Sequence, residues 1–363
     1  MRIFQNSGIY PTYLKRLNSL RQGQNSYSEY MATFLDDRYG GVHLLKPVLD
    51  GDPNAFFTNG DDEIAQRMWA REQGLSAQKS LEQILLAQIE HHRAEVLYNT
   101  DPLRYSGDLV RKLPGCVRRS FAWRAAPSPG ANFGAYHGVL CNFPSILDSY
   151  RQKGWRGTYF LPAHDPVMDG YANRQDRPVD VVFVGGYTRH HRRRAELLEA
   201  VAGLSNEFHV HFHLDNSRMT RLAESPLGHL LPIRQHRRPE NIRKIARPPV
   251  FGQDLYQVLS RAKIVLNGAI DMVGEDRGNM RCFEAMGCGA LMVSDTGNYP
   301  KGMVDGENMI TYRHPTEAVE HIRVLLKDEP LRQRLAQSGY GLMTTTYTKT
   351  AQWQSFVSIV DAS

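Results

Sequence analysis

The stretch EDRGNMRCFEAMGCGALMVSDTGNYPKGMVDGENMITY, residues 275–312, carries most of what can be read from this chain. MRCFEAMGC places Met280, Phe283 and Met286 at helical spacing, whereas ALMVSD and NMITYR are short apolar runs that read as strands. Gly278 and Asn279 punctuate the chain just before the helix, so a helix start faces the preceding loop. The free N–H groups of a helix start suit a phosphate. Arg281 and Glu284 are three apart and share one face of that helix. A guanidinium can hold a diphosphate through paired hydrogen bonds, and a carboxylate one turn on can accept both hydroxyls of a ribose. Gly287 and Gly289 let the helix end tightly before the next strand. The spacing alone fits an ordinary ion pair on a packed helix equally well.

Outward from this stretch the two periods keep alternating. DVVFVGG, FHVHFHL and KIVLNGAI read as strands, with HRRRAELLEAVAGL and LYQVLSRA as helices between them. In the first half RIFQ, AEVLYN, VRRSFAW, HGVLCN and GTYFLP read as strands, and SLEQILLAQIEHHR (80–93) as a helix with Leu81, Ile84, Leu85 and Ile89 on one side. His91 and His92 close that helix, where imidazolium would complement its dipole. Strands separated by helices imply parallel sheets. The polar stretch DGYANRQDRP (169–178) reads as a linker. The expectation is an α/β chain of two Rossmann-like doubly wound domains, 1–172 and 178–345, followed by a helix over 346–363. Such folds bind ligands beyond the carboxyl ends of their strands, so a cleft between the halves is the expected site.

The 275–312 segment resembles the donor-binding signature of GT-B glycosyltransferases, in which an acidic residue is followed, after seven others, by a glutamate. Asp276 and Glu284 have that separation. The variant RxxFEAMGCGAL…D, followed by GENxIxY, is similar to a subgroup of spore-maturation-protein-B-like glycosyltransferases, over about residues 178–345. The resemblance implies that Glu284 binds the ribose and Arg281 the diphosphate or its sugar. It also implies that Asn279 and Met280 offer main-chain N–H groups, and that Asp276 and Arg281 lie at the catalytic centre. Aspartate stands at 276 where a glutamate is usual, unless Glu275 takes the role, and RGNMR replaces a Gly-Phe-Gly-Leu-Pro loop. Retention or inversion of configuration is left open. Chains of this type commonly end in a helix that returns to the first domain, and Trp353, Phe356 and Ile359 offer an apolar line for it.

A second feature is independent of the resemblance. After DVVFVGG the next helix opens with Arg189, His190, His191, Arg192, Arg193 and Arg194. Cations at a helix N-terminus oppose its dipole. A diphosphate held near Gly185, Gly186 and Arg189 would reverse that penalty, whereas Arg192–Arg194 read as solvated. No Asp-X-Asp pair ends a strand, and DD (36–37) and DDE (61–63) read as solvated, so no metal and no cofactor is expected. The leaving diphosphate would then be neutralised by helix N-termini and Arg or Lys. His209, His211 and His213 share a face of one strand without a carboxylate partner. In the first half, loops 6–8, 99–101, 142–145 and 164–165 follow strands, and Asp101 or His164 would serve as base in an inverting transfer. Each also fits a plain loop cap.

Composition frames these readings. No apolar run approaches the ~18 residues of a membrane span. The start MRIFQNSGIYPTYLKRL lacks the features of a leader, and four scattered cysteines fit a reducing compartment, so a cytoplasmic protein is expected. The net charge of +6 suits a polyanionic ligand or the inner face of a membrane. Nucleic acid is disfavoured by the lack of zinc-finger spacing or an RNA-binding aromatic signature. The expected partners are a nucleoside-diphosphate sugar and a saccharide, lipid-linked or protein-linked acceptor, with peripheral membrane contact. The rival readings are a nucleotide-sugar epimerase, which needs an acidic, histidine-bearing centre, and a non-catalytic basic binder.

Overall fold

Two all-parallel six-stranded sheets organise the chain. The computed structural model describes residues 1–187, 191–215, 217–229, 233, 236–268 and 274–363, with the backbone alone at 227 and 229. One compact unit comprises 1–162 with 349–363, the other 163–348. The first holds β1 (Ile3–Asn6), β2 (Ala55–Thr58), β3 (Val96–Asn99), β4 (Arg119–Trp123), β5 (Gly138–Cys141) and β6 (Gly157–Tyr159), in the order β2-β1-β3-β4-β5-β6. The second holds β7 (Val179–Gly185), β8 (Val210–Leu214), β9 (Ala246–Arg247), β10 (Ala262–Leu266), β11 (Leu291–Asp295) and β12 (Ile310–Tyr312), in the order β12-β11-β10-β7-β8-β9. The strand order therefore reverses between β1 and β3 in one unit and between β7 and β10 in the other. These switch points are where open parallel sheets bind ligands.

The strands form where the sequence is apolar on both faces, as a sheet covered on both sides requires. β1, β3 and β5 are buried at every residue. β8 instead alternates, with Val210, Phe212 and Leu214 buried and His211 and His213 half-buried. The second core joins Val181 and Phe183 of β7 to Ile264 and Leu266 of β10, Leu291 and Val293 of β11, and Leu197, Leu198 and Ile322 from helices. Helix Leu81–His91 starts at Ser80, which accepts a hydrogen bond from Gln83 N–H while the Gln83 side chain accepts from Ser80 N–H. No helix among the described residues is long and apolar enough to cross a membrane.

The final helix, Lys349–Asp361, belongs to the first unit. The Phe356 ring lies 5.2 Å from Tyr98 and 5.8 Å from Phe121. Its buried line is Lys349, Gln352, Phe356 and Val360, flanked by the partly buried Trp353 and Ile359. Buried Lys349 Nζ donates to the carbonyls of Gly41 and Leu44, each at 2.7 Å, which closes the turn after the helix Tyr27–Asp37.

Three readings of the sequence change here. The stretch 169–178 is part of the second unit, not a link between units. Its Arg177 donates to the carbonyls of Ala262 (3.0 Å), Ala172 (3.0 Å) and Cys288 (3.2 Å), so an apparently solvated arginine ties three backbone segments together. The acids of 36–37 and 61–63 are not all solvated. Asp37 is buried against Arg16 (2.6 Å) and Tyr13 Oη (2.9 Å), and Asp62 caps the helix Glu63–Glu72 while paired with buried Arg21. His92 stacks on Phe56 at 3.9 Å, and burial, with His91 and Arg2 adding to it, pushes its imidazole down to about 4. It is therefore neutral at pH 7 and does not serve the helix dipole as a cation.

Candidate functional site

In the second unit the switch point is built around Asn267, the first residue after β10. It is 5% exposed, and every polar group on it is engaged. Its N–H donates to Val293 O at 2.8 Å and its carbonyl accepts from Tyr312 Oη at 2.8 Å. Its Nδ2 donates to Ser294 Oγ at 3.0 Å and its Oδ1 accepts from Asn279 Nδ2 at 3.2 Å. Asn279 is the N-cap of the helix Met280–Gly287, yet its side chain makes no capping bond and goes to Asn267 instead. Gly278 precedes it with φ 109°, a conformation that side chains rarely adopt, and so turns the chain into the helix. The helix N-terminus is thus fixed to the end of a central strand with its first-turn N–H groups left uncapped by that side chain. Gly185 closes β7 with a would-be Cβ 3.0 Å from its neighbour Phe183, and Gly186 faces open space. Arg189 lies outside the described residues. Arg192 forms an exposed pair with Glu196 at 2.9 Å and Arg193 is exposed, but Arg194 is half-buried and donates to Gly268 O, so it is not a solvated residue.

Arg281 and Glu284 come together as their spacing predicts, with Nη1 donating to Oε2 at 2.6 Å. The pair is not on the surface: the side chains are 17% and 4% exposed. Burial raises the Glu284 carboxyl above its ordinary range, Arg281 opposes this, and Asp165 adds to it. Asp165 is fully buried and accepts from Tyr256 Oη at 3.2 Å, and burial holds that phenol well above its usual range. Asp165 falls in the expected loop 164–165, but its partner Tyr256, 91 residues away, left no signal in the sequence. Arg281 Nε is buried with no hydrogen-bond partner among the described residues, so the guanidinium is only partly used by Glu284. Asp276 is 6% exposed and pairs as an isolated bridge with Asn298, while Glu275 is exposed. Arg277, unremarked in the sequence, pairs through Nε with Asp295 at the end of β11 (2.6 Å) and donates to the carbonyls of Gly274 and Asp276. A buried arginine between two loops holds the segment before the helix in place.

His164 sits in the second unit, not the first, and is 4% exposed. Its Nε2 meets Asp169 Oδ1 at 2.8 Å, and Tyr340 Oη donates to the same oxygen at 2.7 Å. The ring lies against the far end of the Met280–Gly287 helix, where a Cβ on Gly287 would stand 2.8 Å from His164 Nδ1 and 2.5 Å from Met168 Sδ. This contact explains a glycine inside a helix. Gly287→Ala is expected to cost about 1–3 kcal/mol by overpacking, read as a lowered melting temperature.

The first unit has its own polar ledge at the β1–β3 switch point. Asn6 and Asn99 are paired in register and fully buried, with Asn6 Nδ2 donating to Asn99 Oδ1 at 2.8 Å. Asn6 Oδ1 accepts from Gly60 N, and Asn99 Oδ1 also accepts from Asp101 N at 3.0 Å. These bonds seat Asp101 over Gly8, where a Cβ would meet its carboxyl carbon at 3.1 Å. Burial first, and then the charge of Asp61, push the Asp101 carboxyl up to about 6, against the opposing pull of Arg104 at 3.5 Å. Asp61 accepts from Ile9 N–H through both oxygens (3.1 and 2.9 Å), and burial raises it as well. Loops 6–8 and 99–101 are thereby brought together. Among the described residues no group of three or more His, Cys, Asp or Glu is placed to hold a metal, and His213 Nδ1 of the histidine strand contacts Pro248 O.

Residues 189–358 match a family described as glycosyl transferase-like. No curated protein matches the chain. Among solved structures, HepE of Anabaena, in complex with UDP and glucose, is similar over 100% of both chains at 14% identity, with a TM-score of 0.60. A glycosyltransferase of Rickettsia africae is similar over 98% of this chain and 97% of its own, at 8% identity and TM-score 0.54. TarM of S. aureus, in complex with fondaparinux, alpha-GlcNAc-glycerol and UDP, is similar over 77% of this chain and 59% of its own, at 11% identity and TM-score 0.53. At such identities the likeness is one of fold, and it agrees with the two sheets and their switch points. Residues 189–358 thus resemble a glycosyl transferase-like family, and the chain as a whole has the GT-B glycosyltransferase fold of two Rossmann-like units.

Proposed function

We propose that the chain transfers a hexose or deoxyhexose from a uridine diphosphate sugar to a saccharide or to a lipid- or protein-linked glycoconjugate, without a divalent ion. We place it with the spore-maturation-protein-B-like glycosyltransferases. The observation that carries this reading is the Arg281–Glu284 pair, buried near the start of a helix whose N-terminus Asn279 fixes to the end of β10. In this reading the ribose hydroxyls donate to Glu284, and Arg281 turns its unused guanidinium N–H groups to the diphosphate. Main-chain N–H groups at Asn279 and Met280 complete the phosphate cradle. Gly185 and Gly186 let the β7 loop approach the same anion, with Arg189 as a further cation, and Asp276 faces the donor sugar. UDP is favoured because HepE and TarM have each been solved with it.

The chemistry asked of the protein is neutralisation of the departing diphosphate. A helix N-terminus and a guanidinium held in a water-poor setting do this without reorganising. A thermal-shift comparison of uridine, guanosine, thymidine and cytidine diphosphates tests the binding. The preferred nucleotide at a hundred times its dissociation constant should stabilise the protein by about 2.7 kcal/mol, and no shift with any of them would count against the reading. Because the cations supply the neutralising charge, transfer should continue in excess EDTA at close to its untreated rate. A loss restored by added Mg²⁺ or Mn²⁺ would show that a metal does this work instead.

A further inference from the structure

One segment of the second unit is strongly cationic in sequence. Residues 217–247 hold eight of the 44 Lys and Arg and two of the 38 Asp and Glu, so this stretch carries the whole excess of +6 and the remaining residues hold 36 of each sign. Both acids of the stretch are already paired, Glu224 with buried Arg238 at 2.5 Å and Glu240 with Lys244 at 3.2 Å. The helix Arg218–Glu224 buries Ala223, half-buries Thr220 and Glu224, and exposes Arg218, Met219, Arg221 and Leu222. Arg218 and Arg221 are exposed and pair with no carboxylate among the described residues. Met219 and Leu222 are each 41% exposed. Each of these couples is three apart, so two cations and two large apolar side chains lie side by side on the outer surface of the helix.

This mixture selects a partner by its chemistry. A soluble polyanion would satisfy the arginines and leave Met219 and Leu222 in water. An anionic bilayer offers headgroup phosphates and hydrocarbon a few ångströms apart, and so satisfies both. We propose that the outer face of helix Arg218–Glu224 docks the chain on an anionic membrane surface, with Arg218 and Arg221 at lipid phosphates and Met219 and Leu222 in the acyl boundary. A helix of seven residues spans only about 10 Å, so the attachment is reversible and salt-sensitive rather than a permanent anchor.

Flotation with vesicles tests this, using phosphatidylcholine alone and phosphatidylcholine with about a third phosphatidylglycerol, at about 0.1 M and about 0.5 M salt. The full chain is compared with the double variants Arg218→Gln/Arg221→Gln and Met219→Ser/Leu222→Ser, each first shown by its melting curve to be folded. The expected result is binding to the anionic vesicles only, release at high salt, and a drop of at least about tenfold in partitioning for either double variant. Three outcomes overturn the proposal: no binding to anionic vesicles, unchanged binding in either folded variant, or retention on heparin by a chain that ignores vesicles. No sugar nucleotide enters the assay, so its failure leaves the donor-binding reading untouched.

Discussion

With Asp101 as the base of an inverting transfer, Asp101→Asn is expected to lower kcat by about 10²–10⁴-fold while leaving nucleotide affinity unchanged. Asp101 sits at the carboxyl end of β3, its N–H held by Asn99 and its carboxyl packed over Gly8, so its position is set by a fully buried amide pair. Burial and the neighbouring Asp61 lift it to about 6, near the pH at which a general base is most effective. A base must be unprotonated to accept the acceptor hydroxyl's proton, so kcat/KM should rise with pH through about 6 and then level off. The same shift has a stability consequence of opposite sense. The folded state binds this proton more tightly than the unfolded chain does, so the contribution is complete below the unfolded value near 4 and is lost as pH rises through about 6. At pH 8 the variant should therefore be at least as stable as the parent, with any advantage shrinking below pH 4. A pH–rate profile and melting curves at pH 4 and 8 check both. Asp101→Asn with parental kcat would remove Asp101 from the chemistry.

Glu284 and Arg281 should fail in different ways. Glu284→Gln keeps the volume and an acceptor beside Arg281 but removes the charge proposed to receive two ribose hydroxyls. It should weaken UDP and uridine alike, by about 1.5–3 kcal/mol, or roughly 10- to 150-fold. Arg281→Ala removes the proposed diphosphate contact and should weaken UDP by a similar amount while sparing uridine, which carries no charge to hold. Both variants disturb a buried pair and should melt lower than the parent, since the remaining partner loses its counter-charge. Calorimetric titration with the two ligands separates these effects from misfolding. Equal losses for both ligands in Arg281→Ala would place the diphosphate elsewhere.

How far the sequence revealed this molecule depends on which residues are examined. β7 and β11 were readable because buried parallel strands are continuous apolar runs, as DVVFVGG and ALMVSD are. β9, with two residues, is too short to show a period. The Arg281–Glu284 pair was legible because both residues lie on one helix, where spacing fixes geometry. Partners distant in sequence were not. Asp62 looks like a solvated acid until Arg21 is placed beside it, and Asp165 gains its neighbour Tyr256 only through the fold. Arg177 misled in the same manner, since nothing in a polar stretch indicates that its arginine will join three carbonyls. Asn267 did leave a signal, a polar residue ending the apolar run KIVL at what proves to be a switch point.

Whether this chain turns over a sugar nucleotide is decided by donor turnover. The purified protein would be incubated in excess EDTA with a panel of UDP-sugars, with and without saccharide acceptors, and released UDP measured against Asp101→Asn and Arg281→Ala. The expected result is release of UDP from at least one donor, stimulated by an acceptor and sharply reduced in both variants. Absence of UDP release from every donor, with no binding of any nucleoside diphosphate by the folded protein, would contradict it.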